Sequence, residues 1–320
     1  MIRGVLALFC ALVLVSCKKE NEAEEKIAAV PVKDVVIERF DRLYFEAGPQ
    51  GLSKLKQDYP FFFPAGTPDN VWIERMNDPF LKRLNAEVQK KFADVSGLQN
   101  DIEKLVQHIR YYYPKVKQPR VISLVSDDLE VKAVYAHDLM VIPLSLYLGK
   151  DNKVYEGLDR YQVQEYEPSQ ILPDLVTSFS NGKIAPPQDR MLLSMMIYYG
   201  KELYIKDMLI PDVPDYDKIG YTKEQDAWAH ANEAEMWRYL VDHELLFDND
   251  QKLPGRFINP APFSKFYLEI DKESPGRIGR WIGWQIVRSY MENNKGVTLE
   301  QLLKKDAKEI FDNSKYKPKK

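Results

Sequence analysis

From Pro187 to Met208 the chain is apolar on almost every side, carrying Met191, Leu192, Leu193, Met195, Met196, Ile197, Tyr198, Tyr199, Leu203, Tyr204 and Ile205. A helix apolar all round cannot lie on a surface, so the rest of the chain must wrap it. A second segment offers a partner. Ser274-Pro275-Gly276 reads as a helix start, with Ser as the cap and Pro in the first turn, and the helix continues through Ile278, Trp281, Ile282, Trp284, Ile286, Val287 and Tyr290. Gly279 and Gly283 stand four apart on it and leave a flat strip where another element can approach closely. With 45% hydrophobic residues the chain can bury such a core.

Further helices surround this pair. Asn77 to Phe92 repeats Leu81, Leu84, Val88 and Phe92 at helical spacing, with Asn77 as cap and Pro79 in the first turn. Asn100 to Tyr112 does the same with Ile102, Leu105 and Ile109, and Pro114 stops it. Thr222 to Phe247 reads as one long amphipathic helix opened by a Thr222/Gln225 capping box. The period changes to two only in short strands: Val35 to Ile37, Arg120 to Val125, Val131 to Ala136 and Leu139 to Ile142, with His137-Asp138 as a tight connection. The expected fold is α+β, mostly helical, with one small β-sheet. It forms a single globular domain over residues 32–320, without an interdomain linker or an internal repeat.

Several function classes are excluded at this level. A net charge of −3 lacks the basic excess of a nucleic-acid binder. Cys10 and Cys17 are the only cysteines, so thiol chemistry has no residue in the body. The histidines are His108, His137, His230 and His243, and no two are four apart, so HExxH is absent. There is no P-loop, no GxGxxG and no GxSxG. No cofactor or metal is expected.

Two polar groups remain as candidates. Lys201 and Glu202 interrupt the apolar helix, as a catalytic pair or as a pair reaching a wet edge with Glu202 set against Lys206. The second alternative is favoured because long side chains reach water from apolar helices. Asp226, His230 and Glu233 fall at i, i+4 and i+7, which on one continuous helix shares a face. That face suits metal or acid–base chemistry, or is simply solvated. The missing second histidine favours the solvated face. Trp281, Trp284 and Tyr111 to Tyr113 could bind a glycan, but at helical spacing they read as core. Lys315, Lys317, Lys319 and Lys320 read as a frayed tail.

The N-terminus is read as an address. Met1 to Ser16 has one early Arg and then an apolar run, ending Leu14-Val15-Ser16-Cys17. This resembles the bacterial lipobox, which implies cleavage before Cys17 and a lipid on that cysteine. Residues 1–16 are then the signal peptide and 17–31 the lipidated Cys with a flexible charged tether. Lys18 follows the cysteine instead of Asp, which favours the outer over the inner membrane. The acidic stretch after it resembles the export signal of Bacteroidetes surface lipoproteins. The membrane face stays open.

The most specific stretches are Met196-Ile197-Tyr198-Tyr199-Gly200-Lys201-Glu202-Leu203-Tyr204, Gly220 to Gln225, Ala261-Pro262-Phe263 and Ser274 to Met291. In these the chain resembles the gliding motility-associated lipoprotein GldB family of Bacteroidetes, over nearly its whole length. The resemblance implies an envelope lipoprotein of the gliding machinery, linked to type IX secretion. Its partners would be machinery proteins, with the membrane held through lipid on Cys17. It implies no catalytic residues. The order of elements is also similar to a degenerate zincin, with Gly200, Lys201 and Tyr204 at the HExxH positions and Glu233 near a third ligand. The alternative function is therefore a diverged zincin-like hydrolase of peptide or glycan in the periplasm, using Lys201, Glu202, His230 and Glu233.

Overall fold

A computed structural model of the chain describes residues 23–319. The fold is α+β and mostly helical, with one four-stranded sheet. A short helix α1 (residues 23–28) precedes β1 (Ile37–Arg39). It lies within the stretch read as a tether; there Ile27 is buried and Pro31 accepts a hydrogen bond from Arg110 at 2.5 Å.

The sheet order is β1-β2-β4-β3, with β2 at Arg120–Leu124, β3 at Val134–Ala136 and β4 at Leu139–Pro143. β1, β2 and β4 run parallel and β3 is antiparallel to β4. His137, at φ 55°, makes the tight β3–β4 connection anticipated from the sequence. Period-two alternation divides β2 between two cores. Val121 faces the main one, whereas Ile122 packs with Phe40, Leu52, Leu55, Tyr59, Phe63 and Met76 in a smaller one. The smaller core is closed by α2 (Phe40–Asp58), which breaks at Gly48, and by α3 (Asp69–Asn77).

α4 (Pro79–Lys91) and α5 (Ser96–Tyr112) occupy the anticipated stretches. Asp78, not Asn77, caps α4, because its carboxylate accepts from the Leu81 N–H at 2.8 Å. After the short α6 (Arg160–Val163), α7 (Ile171–Ser180) covers the free edge of β3: Ser178 Oγ accepts from Tyr135 N at 2.9 Å.

α8 (Leu192–Leu209) is the central helix and α13 (Ile278–Asn293) crosses it at the glycines. A Cβ built on Gly283 would stand 1.9 Å from the Met196 carbonyl oxygen, and one on Gly200 would stand 2.4 Å from Gly283 C. Both tryptophans of α13 are fully buried, which makes Trp281 and Trp284 core rather than a glycan platform. α13 starts later than expected. Ser274 does not cap it; Ser264, from a separate loop, accepts from the Ile278 N–H at 3.1 Å. The turn before it needs Gly276, where a Cβ would meet the Ala261 carbonyl oxygen at 2.1 Å.

The stretch Thr222 to Phe247 is not one helix. After α9 (Asp215–Ile219) come α10 (Lys223–Ala231) and α11 (Glu233–Asp242), broken at Asn232. Asn232 leaves the helical region, and both its backbone N–H and its side-chain amide donate to the Trp228 carbonyl, at 3.0 and 2.8 Å, closing the end of α10. The Thr222/Gln225 capping box is present as read. α12 (Leu253–Phe257), α14 (Leu299–Lys304) and α15 (Ala307–Ser314) complete the core, with Leu302 and Ile310 fully buried. Among the described residues no helix is long and apolar enough to cross a membrane.

Candidate functional site

Lys201 and Glu202 do not work as a pair, because neighbouring helix positions diverge by about 100°. Lys201 is buried and its ammonium donates to the carbonyls of Lys305 at 2.5 Å and Leu303 at 3.4 Å. Burial pulls its pKa down to about 8. Glu202 accepts from Thr177 Oγ1 at 3.2 Å. The wet edge expected for Glu202 and Lys206 is absent: Lys206 is buried and donates to the Lys218 carbonyl at 2.8 Å.

Lys201 therefore fastens the α14–α15 junction to α8. Its folded pKa lies below the unfolded value near 10.5, so the folded state sheds its proton first. Stability should rise with pH between about 8 and 10.5 through this group. In Lys201→Met that rise should be missing from urea midpoints measured across the window. An identical rise in both proteins would assign it elsewhere.

Asp226, His230 and Glu233 are not on one face. His230 is exposed, 3.8 Å from Asp226, with its ring edge-on to Trp281 at 5.0 Å between centroids. Asp226 Oδ1 and Trp281 Nε1 are both buried without a partner, and burial raises the Asp226 pKa. The break at Asn232 sends Glu233 inward, where it is buried and accepts from Tyr316 Oη at 2.7 Å. Among the described residues no three His, Cys, Asp or Glu side chains converge as metal ligands. Cys17 lies outside the described residues.

Sequence reading missed a half-buried cluster of charge. Glu165 pairs with Lys132 at 2.6 Å and with Arg277 at 2.7 Å. Lys132 also reaches Asp174 at 3.1 Å, and Asp174 accepts from Tyr147 Oη at 2.9 Å. Burial opposes the charge on Glu165, yet Arg277 and Lys132 overcome it and hold its carboxyl at about 2. For Asp174 burial wins and its pKa is raised. Burial likewise lowers the pKa of Lys206, which sits among them. A second knot adjoins the first. Arg288 binds Asp207 at 2.7 Å and Asp215 at 2.6 Å, Trp284 Nε1 donates to Asp207 at 2.8 Å, and Lys218 pairs with Asp207 at 3.0 Å. Glu165, Asp207 and Asp215 stand beside guanidinium groups, and the arrangement suits a rigid brace between α7, α8 and α13. Apart from Asp215 and Lys218, three apart on α9, these residues share no local motif, which is why spacing alone does not reveal them.

On the outer side of α10 and α11 lies an apolar groove. Trp228, Met236, Tyr239, Phe266 and Leu268 line a volume of about 380 Å³ there. The carboxylate of Asp271 accepts from the backbone N–H groups of Phe266, Tyr267 and Leu268 at 3.0, 2.8 and 3.3 Å. It thereby holds Tyr267 at a positive φ of 64° with its side chain 70% exposed. The Arg256 guanidinium stacks on that ring at 4.5 Å. The groove offers apolar contact area, bordered by Glu235, Arg238, Asp242 and His243.

Comparison with known proteins identifies a family. A family model described as gliding motility protein GldB matches residues 20–318. No curated protein matches the chain. No solved structure does either. The match spans both helices of the glycine crossing, the ionic brace and the apolar groove, and the chain belongs to the GldB family of gliding motility proteins.

Proposed function

We propose that the chain is a cell-envelope lipoprotein, held at the outer membrane by lipid on Cys17, that supports gliding motility and the associated type IX secretion machinery through protein contacts and without catalysis. The observation that carries this reading is the family match over residues 20–318. It is supported by Ser16-Cys17 at the end of an apolar run. It is supported also by the scatter of the polar candidates: Lys201 serves α14 and α15, Glu202 serves Thr177, and Glu233 serves Tyr316.

The rival reading, a diverged zincin-like hydrolase, draws only on the Asp226–His230 pair, whose 3.8 Å approach leaves Asp226 Oδ1 without a hydrogen bond. One experiment separates the two. Cys17→Ala should release the protein from envelope membranes and abolish gliding. His230→Ala should leave gliding intact. Normal gliding by the unacylated form would refute the anchor, and loss of gliding in a folded His230→Ala protein would favour the hydrolase.

A further inference from the structure

Arg280, in the first turn of α13, is half-buried between Tyr199 of α8 and the Ile258 carbonyl at the end of α12. Its guanidinium lies over the Tyr199 ring at 3.8 Å, and its Nε donates to that carbonyl at 2.7 Å. These two contacts fix the plane of the group and cover one of its faces. Among the described residues its two terminal nitrogens have no hydrogen-bond partner, and no carboxylate pairs with it. Neither nitrogen is sealed in the protein, so both can be reached from solvent.

A largely buried cation without a counter-charge is costly. Burial pushes the Arg280 pKa below its ordinary value, and the like charge of Arg277 pushes it the same way. Burial also opposes the charge on Arg277 and Arg288, yet their acid partners overcome it and hold both pKa values up. The acids near Arg280 are committed elsewhere. Glu165 is taken by Arg277 and Lys132, and Glu202 accepts from Thr177. Both act on Arg280 only at a distance.

The geometry points to a binding site for a carboxylate on Arg280, its two oxygens accepting side by side from the terminal nitrogens while Tyr199 backs the guanidinium. A planar carboxylate matches that fork. Glu165 and Glu202 oppose a doubly charged phosphate, and Arg277 is not free to help neutralise one. The site goes beyond the anchoring role and does not depend on it. The carboxylate belongs to a small free acid or to the C-terminus of a peptide, and the two are separated by affinity.

Acetate is the first probe, titrated by calorimetry at constant ionic strength into the full-length protein in neutral detergent. It should bind with a Kd on the order of 1 mM. Acetamide, its neutral counterpart, and inorganic phosphate should each bind at least about tenfold more weakly. Arg280→Gln should lose acetate binding. Arg280→Lys keeps the charge but not the fork and should bind severalfold more weakly. Acetate should also raise the Tm of the wild type relative to chloride, and leave that of Arg280→Gln unmoved. N-acetyl-trialanine is the second probe. Affinity about tenfold or more above acetate assigns the site to a peptide C-terminus, equal affinity assigns it to a small acid, and either keeps the carboxylate on Arg280. Absence of saturable acetate binding, or full affinity in a folded Arg280→Gln protein, overturns the site. Equal binding of acetamide, or tighter binding of phosphate, overturns the ligand class assigned to it.

Discussion

Glu165→Gln should be among the most destabilising single changes in the chain, by about 3–5 kcal/mol, because it leaves the buried guanidinium of Arg277 without its counter-charge. Lys132 keeps Asp174 and is half in water, so the loss falls mainly on Arg277. The pH dependence has a definite sign. Glu165 is held at about 2 against 4.5 unpaired, so the stability it contributes is complete above pH 4.5 and is lost as pH falls toward 2. The full difference is worth about 3 kcal/mol. Asp174 works the other way: its raised pKa favours the folded state at low pH and offsets part of the loss. Urea unfolding from pH 7 down to 3 should show a steeper acid decline in the wild type than in Glu165→Gln. Parallel declines would remove Glu165 from the acid response.

Gly283→Ala tests the crossing of α8 and α13. The new methyl would stand 1.9 Å from the Met196 carbonyl oxygen and 2.4 Å from its carbon. Both are backbone atoms of a buried helix, so neither can swing aside and the helices must separate. Overpacking of this kind should cost about 3 kcal/mol and lower Tm by roughly 6–12 °C. Gly97→Ala is the control: Gly97 lies in α5 with nothing within 4 Å of the added carbon, so it should melt at the wild-type temperature or slightly higher. If the two variants melt together, the crossing is looser than its geometry says.

Legibility from sequence followed the range of the physical cause. The capping box at Thr222, the strand period through Val121 to Leu124 and the apolar stripe of α13 are local patterns, and all three are present. The glycine pair was legible as close-approach positions, but two elements use them: Gly283 meets Met196 of α8 and Gly279 meets Phe257 of α12. What failed were boundaries and partners decided at a distance. Ser264 displaced Ser274 as the cap of α13, from outside the local stretch. Asn232 broke a pattern that hydropathy continued straight through, and with it the shared face of Asp226, His230 and Glu233. The ionic brace joins residues 132, 165, 174 and 277, which only the fold brings together. Each of its members, taken alone in sequence, is an ordinary surface charge.

The way the last helices close on α8 has a consequence for biogenesis. Ile310 fills the core, Lys201 is met by the carbonyls around residue 305, and Glu233 waits for Tyr316. α8 ends at Leu209, so about 100 residues must follow before its cover is complete. In an envelope protein exported unfolded, α8 thus emerges with its apolar sides open until those residues follow it. A chain with that profile is a natural client for holding chaperones, and truncation of its final helix takes Ile310 out of that cover.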